Sequence, residues 1–360
     1  MNRRAPWLDD RDAGRGFSPG LIPLDLLAPP YALGARLHRA YYETGLGRRR
    51  RLPCRVVSVG GITVGGSGKT PLAAAVAVGL RARGHRVALA SRGYGRLRNA
   101  GVTPVSDGQR LEGFDPEARG DEPLVLAAGA PGVPVVVGPD REKVGLRAIA
   151  FYGTEILVLD DGFQHHRLAR DVDVVGLDGR FGLGNGRLLP RGPLREPVSA
   201  LSRADALVML DGPLAEPDAS RILERTPRVS RFLANRKVLS VTSLAANESL
   251  DQSSLEGERV GLLSGIAHPS SFRKTVEALG AEVVAERRFP DHHRYRPRDL
   301  AGLSKEASLW LTTEKDGVKI LSSWGGSEHI RVVRSRVLLE DESGFFDWLE
   351  SRLLPAPEPG

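Results

Sequence analysis

Lys69 and Thr70 carry the clearest chemistry in this chain, because they follow the glycine run Gly65-Gly66-Ser67-Gly68. Glycines let consecutive backbone amides turn inward around a phosphate, and a helix N-terminus placed behind them adds positive potential. In that setting Lys69 would reach the β- and γ-phosphates of a nucleotide, and the Thr70 hydroxyl would bind Mg²⁺. The flanking sequence supplies the elements the loop needs. Val56-Val-Ser-Val59 is a β-branched run that predicts a buried strand, and Pro71-Leu-Ala-Ala-Ala-Val-Ala-Val-Gly-Leu80 predicts a helix. Pro71 suits a first helical turn, where its missing N–H has no intrahelical acceptor. The strict spacing for such a loop asks for glycine five residues before Gly68, and Thr63 stands there.

Three further sets of side chains could act on a bound nucleotide. Asp160-Asp161 ends an apolar run, Glu155-Ile-Leu-Val-Leu, where an acid commonly binds the Mg²⁺ shell; a turn or cap aspartate is the plainer alternative. Asp121-Glu122 opens a predicted helix, and acids favour that position for electrostatic reasons alone. His292-His293 and His165-His166 are adjacent pairs whose side chains project apart, which argues against a two-histidine metal site in either. A carboxylate with a histidine could serve as general base toward a hydroxyl, but spacing alone does not pair Asp121 with His292. No Gly-x-Ser-x-Gly elbow is present to support a serine hydrolase.

The bulk composition narrows the class. The 360 residues are 41% hydrophobic and 26% charged, a globular balance long enough for two domains. A formal charge of +7 suits an anionic partner such as a nucleotide or a phospholipid surface. No zinc-finger, RNA-recognition or homeodomain signature points to nucleic acid. One cysteine, Cys54, excludes an intrachain disulfide and fits a reducing compartment. The start of the chain lacks the apolar core of a signal peptide, and no run of about 20 apolar residues could span a bilayer.

In order, residues 1 to 20 read as a loose tail. A helix is expected from Tyr31 to about Thr44, followed by the basic cluster Arg48 to Arg51. An amphipathic helix with aromatics and a basic cluster can lie in a membrane interface, or can dock on the protein's own core. From Val56 the chain alternates strand and helix: strands at 85–90, 133–137, 155–160 and 172–177, a helix at 141–152, and polar, glycine-rich sequence at 97–120. That alternation predicts a parallel sheet with helices on both faces and ligands at the strands' C-terminal ends. Beyond a glycine- and proline-rich connection, further strands at 206–210, 238–244, 259–263, 281–289, 309–313 and 330–339 suggest a second, smaller α/β domain. The expected tails are a flexible one at 1–20 and a disordered one at 354–360.

Several blocks together resemble the tetraacyldisaccharide 4′-kinases, the lipid A 4′-kinases of Gram-negative bacteria. They are Val59-Gly-Gly-Ile-Thr-Val-Gly-Gly-Ser-Gly-Lys-Thr-Pro71, Ser91-Arg-Gly-Tyr-Gly-Arg96, Gly120-Asp-Glu-Pro123, Asp160-Asp-Gly-Phe-Gln-His-His-Arg-Leu168, Gly184-Asn-Gly-Arg-Leu-Leu-Pro-Arg-Gly-Pro-Leu-Arg-Glu-Pro197, Phe289-Pro-Asp-His-His293 and Thr312-Thr-Glu-Lys-Asp316. The family's loop also lacks the first glycine, so Thr63 fits it; Gly61, where many members carry Asn, is a departure. The resemblance implies two domains joined by a short two-stranded hinge, which suits a break near residue 172, with a nucleotide-binding domain at 21–172 and the hinge and C-terminal domain at 173–353; it also implies transfer of the ATP γ-phosphoryl group to the 4′-hydroxyl of a tetraacylated glucosamine disaccharide 1-phosphate. It implies phosphate binding by Gly65, Gly66, Ser67, Gly68, Lys69 and Thr70, and Mg²⁺ binding by Thr70, Asp160, Asp161 and Glu122. Asp121 and His292 match the catalytic pair, with Arg92 and Glu196 as further candidates. It also implies peripheral attachment to the cytoplasmic face of the bacterial inner membrane through the basic N-terminal helix. The competing class is a phosphate-loop GTPase or ATPase accessory protein with no lipid acceptor; Thr313-Glu-Lys-Asp316 only superficially resembles a guanine-reading motif.

Overall fold

The structure, a computed structural model, describes residues 22–65, 68–93, 101–110, 121–244 and 248–353. The two expected tails, Gly66 and Ser67 of the glycine loop, and Tyr94 to Arg96 lie outside the described residues. Among those described, thirteen strands join one sheet, in the order β11-β10-β12-β13-β8-β7-β6-β1-β5-β2-β4-β3, with β9 paired on β8.

The first half of the sheet is β1 (Arg55–Gly60), β2 (Val87–Ser91), β3 (Thr103–Ser106), β4 (Val135–Val137), β5 (Ile156–Asp160), β6 (Val172–Asp178) and β7 (Ala206–Leu210). All of their pairings are parallel except β3 on β4. The period-two alternation of a strand sorts the side chains onto two faces. Val57 and Val59 of β1, with Ile156 and Val158 of β5, join one core with helix α2 (Lys69–Ala82). Val56, Leu157 and Leu159 point the other way, toward Val144 and Ala148 of a later helix at Arg141–Tyr152. β3 falls in the stretch expected to be polar and irregular. Its Pro104 is tolerated because this strand is the sheet's edge.

Helix α1 runs from Ile22 to Glu43 with Pro29 and Pro30 inside it, so it starts well before the expected Tyr31. Helix α3 is Asp121–Gly129 and α4 is Arg141–Tyr152. The Asp140 carboxylate caps α4 by accepting from the amides of Glu142 and Lys143, and Gly153 ends it in the left-handed region.

The second half is built from β8 (Ser230–Ser243), β9 (Ser249–Leu250), β10 (Arg259–Ser264), β11 (Glu282–Arg288), β12 (Leu309–Thr313) and β13 (Ile330–Leu339), with α5 (Asp218–Arg225) preceding β8 and α6 (Pro269–Glu277) following β10. The start of β8, Ser230–Ala234, pairs with β7, and the start of β13, Ile330–Val333, pairs with β12. Between those points Asn235–Ser240 and Arg334–Leu338 pair antiparallel with each other. The sheet is thus narrowest there, a two-stranded neck. The expected boundary after residue 172 falls within β6, whose first residue is Val172, and β5 and β6 both flank β1 in an unbroken parallel run. The last helix, α7 (Glu342–Leu353), returns to the first half. Phe346 sits so close to Gly79 of α2 that an added Cβ there would lie 1.9 Å from its ring. Ion pairs from Arg83 and His85 to Glu350 close the same contact.

Candidate active site

The loop between β1 and α2 stands at the C-terminal end of the central strand, where an open α/β sheet binds ligands. Gly65 and Gly68 both have positive φ, 100° and 72°, backbone that only glycine adopts without strain. Gly68 is the N-cap of α2, so the first free amides of that helix face the loop. Lys69, 7% exposed, folds its ammonium back to donate to the carbonyls of Thr63 (3.1 Å) and Gly65 (3.4 Å). Burial pulls its pKa below the ordinary value, with the nearby Arg195 adding to this against the opposing pull of Asp161.

The two aspartates at the end of β5 do different work. Asp160 is 3% exposed and accepts from the Thr70 hydroxyl at 3.3 and 3.2 Å. Burial, reinforced by Asp161 and Glu122, pushes its carboxyl up to about 7. Asp161 sits at φ 54°, a left-handed position that aspartate tolerates better than most residues. Its carboxylate accepts from Arg195 at 2.9 and 2.7 Å and lies 3.9 Å from Lys69. Burial alone would raise the Asp161 carboxyl, but Lys69 and Arg195 outweigh it and hold it below the ordinary range. Gln164 steadies Arg195 from behind, accepting from it and donating to the Gly61 carbonyl and Glu196.

These residues line one cleft of about 980 Å³ whose far wall belongs to the other half of the molecule. Lys69, Thr70, Glu122, Arg92, Asp160, Asp161 and Arg195 form one side; Asp291, His292, Thr313 and Lys315 form the other. His292 holds φ 60°, and its Nε2 lies 3.2 Å from the Lys315 ammonium, which also donates to Asp291 at 2.8 Å. Its neighbour His293 is turned elsewhere, with Nε2 3.0 Å from Asp299 and its ring stacked on Phe289. Asp121 occupies the first position of α3 and is described by its backbone only.

Glu196 is placed differently from the other candidates. It is 5% exposed, accepts from Arg203 at 2.9 and 3.0 Å and from Gln164, and is not among the residues lining the cleft. Its role here is to anchor the Gln164–Arg195 arrangement. Sequence reasoning assigned no role to Arg195, Gln164, Asp291 or Lys315. All four lie inside the motif blocks, and membership in those blocks was the available signal.

For magnesium, the donors present are suitable. Thr70, Asp160, Asp161 and Glu122 offer hydroxyl and carboxylate oxygens, the hard ligands this cation takes. Burial first, and then the neighbouring carboxylates of Asp161 and Glu122, raise Asp160, and a divalent cation beside it would oppose both effects. No cluster of three or more metal-ligating side chains stands ready-made among the described residues.

Comparison with known proteins identifies the family. Residues 19–354 match the family model for tetraacyldisaccharide-1-P 4′-kinase. A tetraacyldisaccharide 4′-kinase from Anaeromyxobacter dehalogenans (strain 2CP-C) is 44% identical over 342 residues, covering 92% of this chain and 89% of the relative. Another from Syntrophus aciditrophicus (strain SB) is 41% identical over 335 residues, 88% of each. The solved "apo" form LpxK from Aquifex aeolicus in complex with ATP superposes with a TM-score of 0.75 at 32% identity, covering 93% of this chain and 99% of that one. The parallel α/β sheet with its loop-bearing β1 is therefore a shared architecture, and the chain belongs to the tetraacyldisaccharide 4′-kinase family.

Proposed function

We propose that this protein is the ATP-dependent kinase that transfers the γ-phosphoryl group to the 4′-hydroxyl of a tetraacylated glucosamine disaccharide 1-phosphate, a late step of lipid A biosynthesis. The observation that carries this reading is the shared cleft, in which the Lys69 loop and the Asp160–Asp161 pair face the His292–Lys315 wall. Phosphoryl transfer needs little covalent help from a protein; positioning and charge stabilisation supply most of the rate. The amides of Gly65 to Lys69 would cradle the phosphates, with Lys69 at the β- and γ-positions. Thr70, Asp160, Asp161 and Glu122 would hold Mg²⁺, which when bound neutralises charge on the phosphates. Arg195 keeps Asp161 ionised and fixed for that purpose.

On the acceptor side, Asp121 would draw the proton from the 4′-hydroxyl and His292 would orient Asp121. With Nε2 accepting from Lys315, the neutral imidazole carries its proton on Nδ1 and can donate to a carboxylate. The neck of β8 and β13 is the proposed hinge between the two halves.

The acceptor is a lipid, and α1 supports delivery from a membrane surface. Leu26, Leu33, Leu37 and Tyr41, spaced along one face of that helix, are 71%, 57%, 61% and 50% exposed. The opposite face is tied down: Tyr31 donates to the Arg195 carbonyl, and Asp25 pairs with Arg187 and Arg191. An exposed apolar stripe beside Arg48 and Arg49 fits an interfacial helix on an anionic bilayer. Among the described residues no helix is long and apolar enough to cross a membrane. The exposed stripe of α1 supports peripheral attachment, and the family resemblance supplies the cytoplasmic face of the inner membrane as its place.

The guanine-binding alternative is disfavoured by Asp316. Its fully buried carboxylate is bonded to the Gly265 amide, the Thr313 hydroxyl and Lys319, leaving it no part in reading a base. Transfer of label from γ-labelled ATP to the acylated disaccharide tests the proposal. Label in the lipid product is expected; ATP turnover indifferent to the acceptor would defeat it.

A further inference from the structure

The turn that carries Lys315 is pinned to the neck by the residue before it. Thr313 ends β12 and caps a one-turn helix, Glu314–Gly317, by accepting from the Asp316 amide. Glu314 Oε2 accepts from the Ser335 amide at 3.1 Å. Ser335 lies within the two-stranded stretch, at the point where the ladder shifts register. Arg334 faces Ser240, Ser335 faces Val238, and Leu239 falls between. A bulge of this kind interrupts a ladder and bends it locally, and amides there need other acceptors. Glu314 Oε1 lies 3.6 Å from the Arg334 guanidinium of the same strand. The Glu314 side chain is only 17% exposed, and burial raises its carboxyl against the opposing pull of the Ser335 amide, Arg334 and Arg336. It is a group built into the neck, not a solvated surface acid.

The same short turn meets both parts of the acceptor-side machinery. It lies against α3, the helix that Asp121 opens. Its Lys315 reaches His292 Nε2 at 3.2 Å and the Asp291 carboxylate at 2.8 Å, so the 291–292 loop is tied to the turn. Asp316 holds the turn to the Gly265 amide, within its own half of the molecule. Glu314 adds the tie to the strand on which the two halves would bend.

We propose that Glu314 is a positioning residue for phosphoryl transfer: it fixes the 314–317 turn to the β13 bulge, so that flexing of the neck carries Lys315 and His292 into place beside Asp121. This role rests on the reading of Asp121 and His292 as the catalytic pair, and deepens it by naming the side chain through which the neck acts on that pair. What the role demands is an acceptor oxygen at the reach of a glutamate. Negative charge is secondary, because the partner is a backbone amide.

That distinction sets the test, run with the full chain in nonionic detergent, γ-labelled ATP and the tetraacylated disaccharide 1-phosphate. Glu314→Gln keeps an oxygen at the same reach and should hold kcat within about threefold of wild type. Glu314→Asp keeps the charge but is one methylene short, so kcat should fall by about tenfold or more, with KM for ATP within about twofold. In the His292→Ala background Glu314→Asp should cost nothing further, since it acts through that imidazole. Thermal midpoints are measured alongside. A lower midpoint for Glu314→Asp with kcat unchanged would make the contact structural only and overturn the proposal. Retained activity in Glu314→Asp with a loss in Glu314→Gln would also overturn it, by showing that the charge acts on a ligand. A Glu314→Asp loss undiminished without His292 would do the same. Normal turnover by His292→Ala alone would remove the catalytic pair, and no transfer by wild type would remove the kinase reading; either takes this role with it.

Discussion

At the scale of single residues, the spacing of glycine, lysine and threonine points to a phosphate loop, because that chemistry depends on consecutive backbone positions, and the structure places Gly65, Lys69 and Thr70 at the cleft. The same holds for Asp160-Asp161, which closes an apolar strand. Arg195, Lys315 and Asp291 were not legible as site residues, since their partners come from distant parts of the chain. Arg195 meets Asp161 across 34 positions, and Lys315 meets Asp291 across 24. The partner of Glu196 was equally hidden: its carboxylate pairs with Arg203 and lies outside the cleft lining. Lys69 offers the sharpest test. Its ammonium is buried at the mouth of the loop, where it would stabilise charge on the migrating phosphoryl group. Lys69→Ala should lower kcat by about 100-fold or more, the scale seen when a placed electrostatic donor is lost. Normal turnover by a folded variant would remove Lys69 from the mechanism.

At the scale of elements, the helix at Arg141–Tyr152 and the strands β7, β12 and β13 match the sequence expectation residue for residue. They are the segments where burial, periodicity and caps agree. Helix α1 was expected to start after Pro29-Pro30, on the rule that proline removes a helical donor. Its docked face, held by Tyr31, Asp25 and the 187–195 loop, gives the longer helix tertiary support that propensity does not register. β8 was expected only from Val238, because Ser230 to Lys237 mixes polar and apolar residues. In the structure half of its positions there are partly exposed, as a strand of a narrow neck must be. Two outcomes follow for these elements. Leu33→Glu with Leu37→Glu should release the protein from anionic vesicles without unfolding it, since both side chains already face outward; unchanged co-sedimentation would place the anchor elsewhere. The second concerns acid. His166, 6% exposed beside α1, has its pKa lowered from 6.5 to about 4 by burial and by the charge of Arg203. The unfolded chain therefore takes up the proton first. The stability contributed by the neutral imidazole is present above pH 6.5 and is lost as pH falls toward 4, by about 3 kcal/mol at most. His166→Gln should flatten the fall in urea midpoint over that range, whatever its stability at neutral pH. Parallel slopes for the two proteins would mean other groups govern acid unfolding.

At the scale of the whole molecule, alternation of strand and helix revealed a parallel α/β protein, but not where its halves divide. The break near residue 172, placed to suit the family's hinge, says nothing about which strands pair, and β6 and β7 continue the first sheet. Only pairing reveals the neck, where Asn235–Ser240 and Arg334–Leu338 have each other. That construction matters for catalysis because Asp121 opens a helix on the nucleotide side while His292 stands on the opposite wall, 171 positions later. If the two act as one unit, flexing of the neck must bring them together beside the γ-phosphate. Asp121→Ala and His292→Ala should then each lower kcat far more than they raise KM for ATP, as neither is assigned to hold the nucleotide. The double variant should lose little beyond the worse single one, since members of a catalytic unit are non-additive. His293→Ala serves as the internal control, because its ring is spent on Asp299 and Phe289 and its loss should act on stability before kcat. Lys315→Ala adds a finer discrimination. It removes the donor 3.2 Å from Nε2, so it should weaken the His292 contribution while leaving Asp121 in place, and its effect should vanish in the His292→Ala background. The measurement is kcat for these variants at saturating ATP and lipid. Losses that multiply in the Asp121/His292 double variant would show two separate jobs on the two walls. A Lys315 effect undiminished without His292 would mean that the lysine acts on the phosphates directly and the imidazole is not its target.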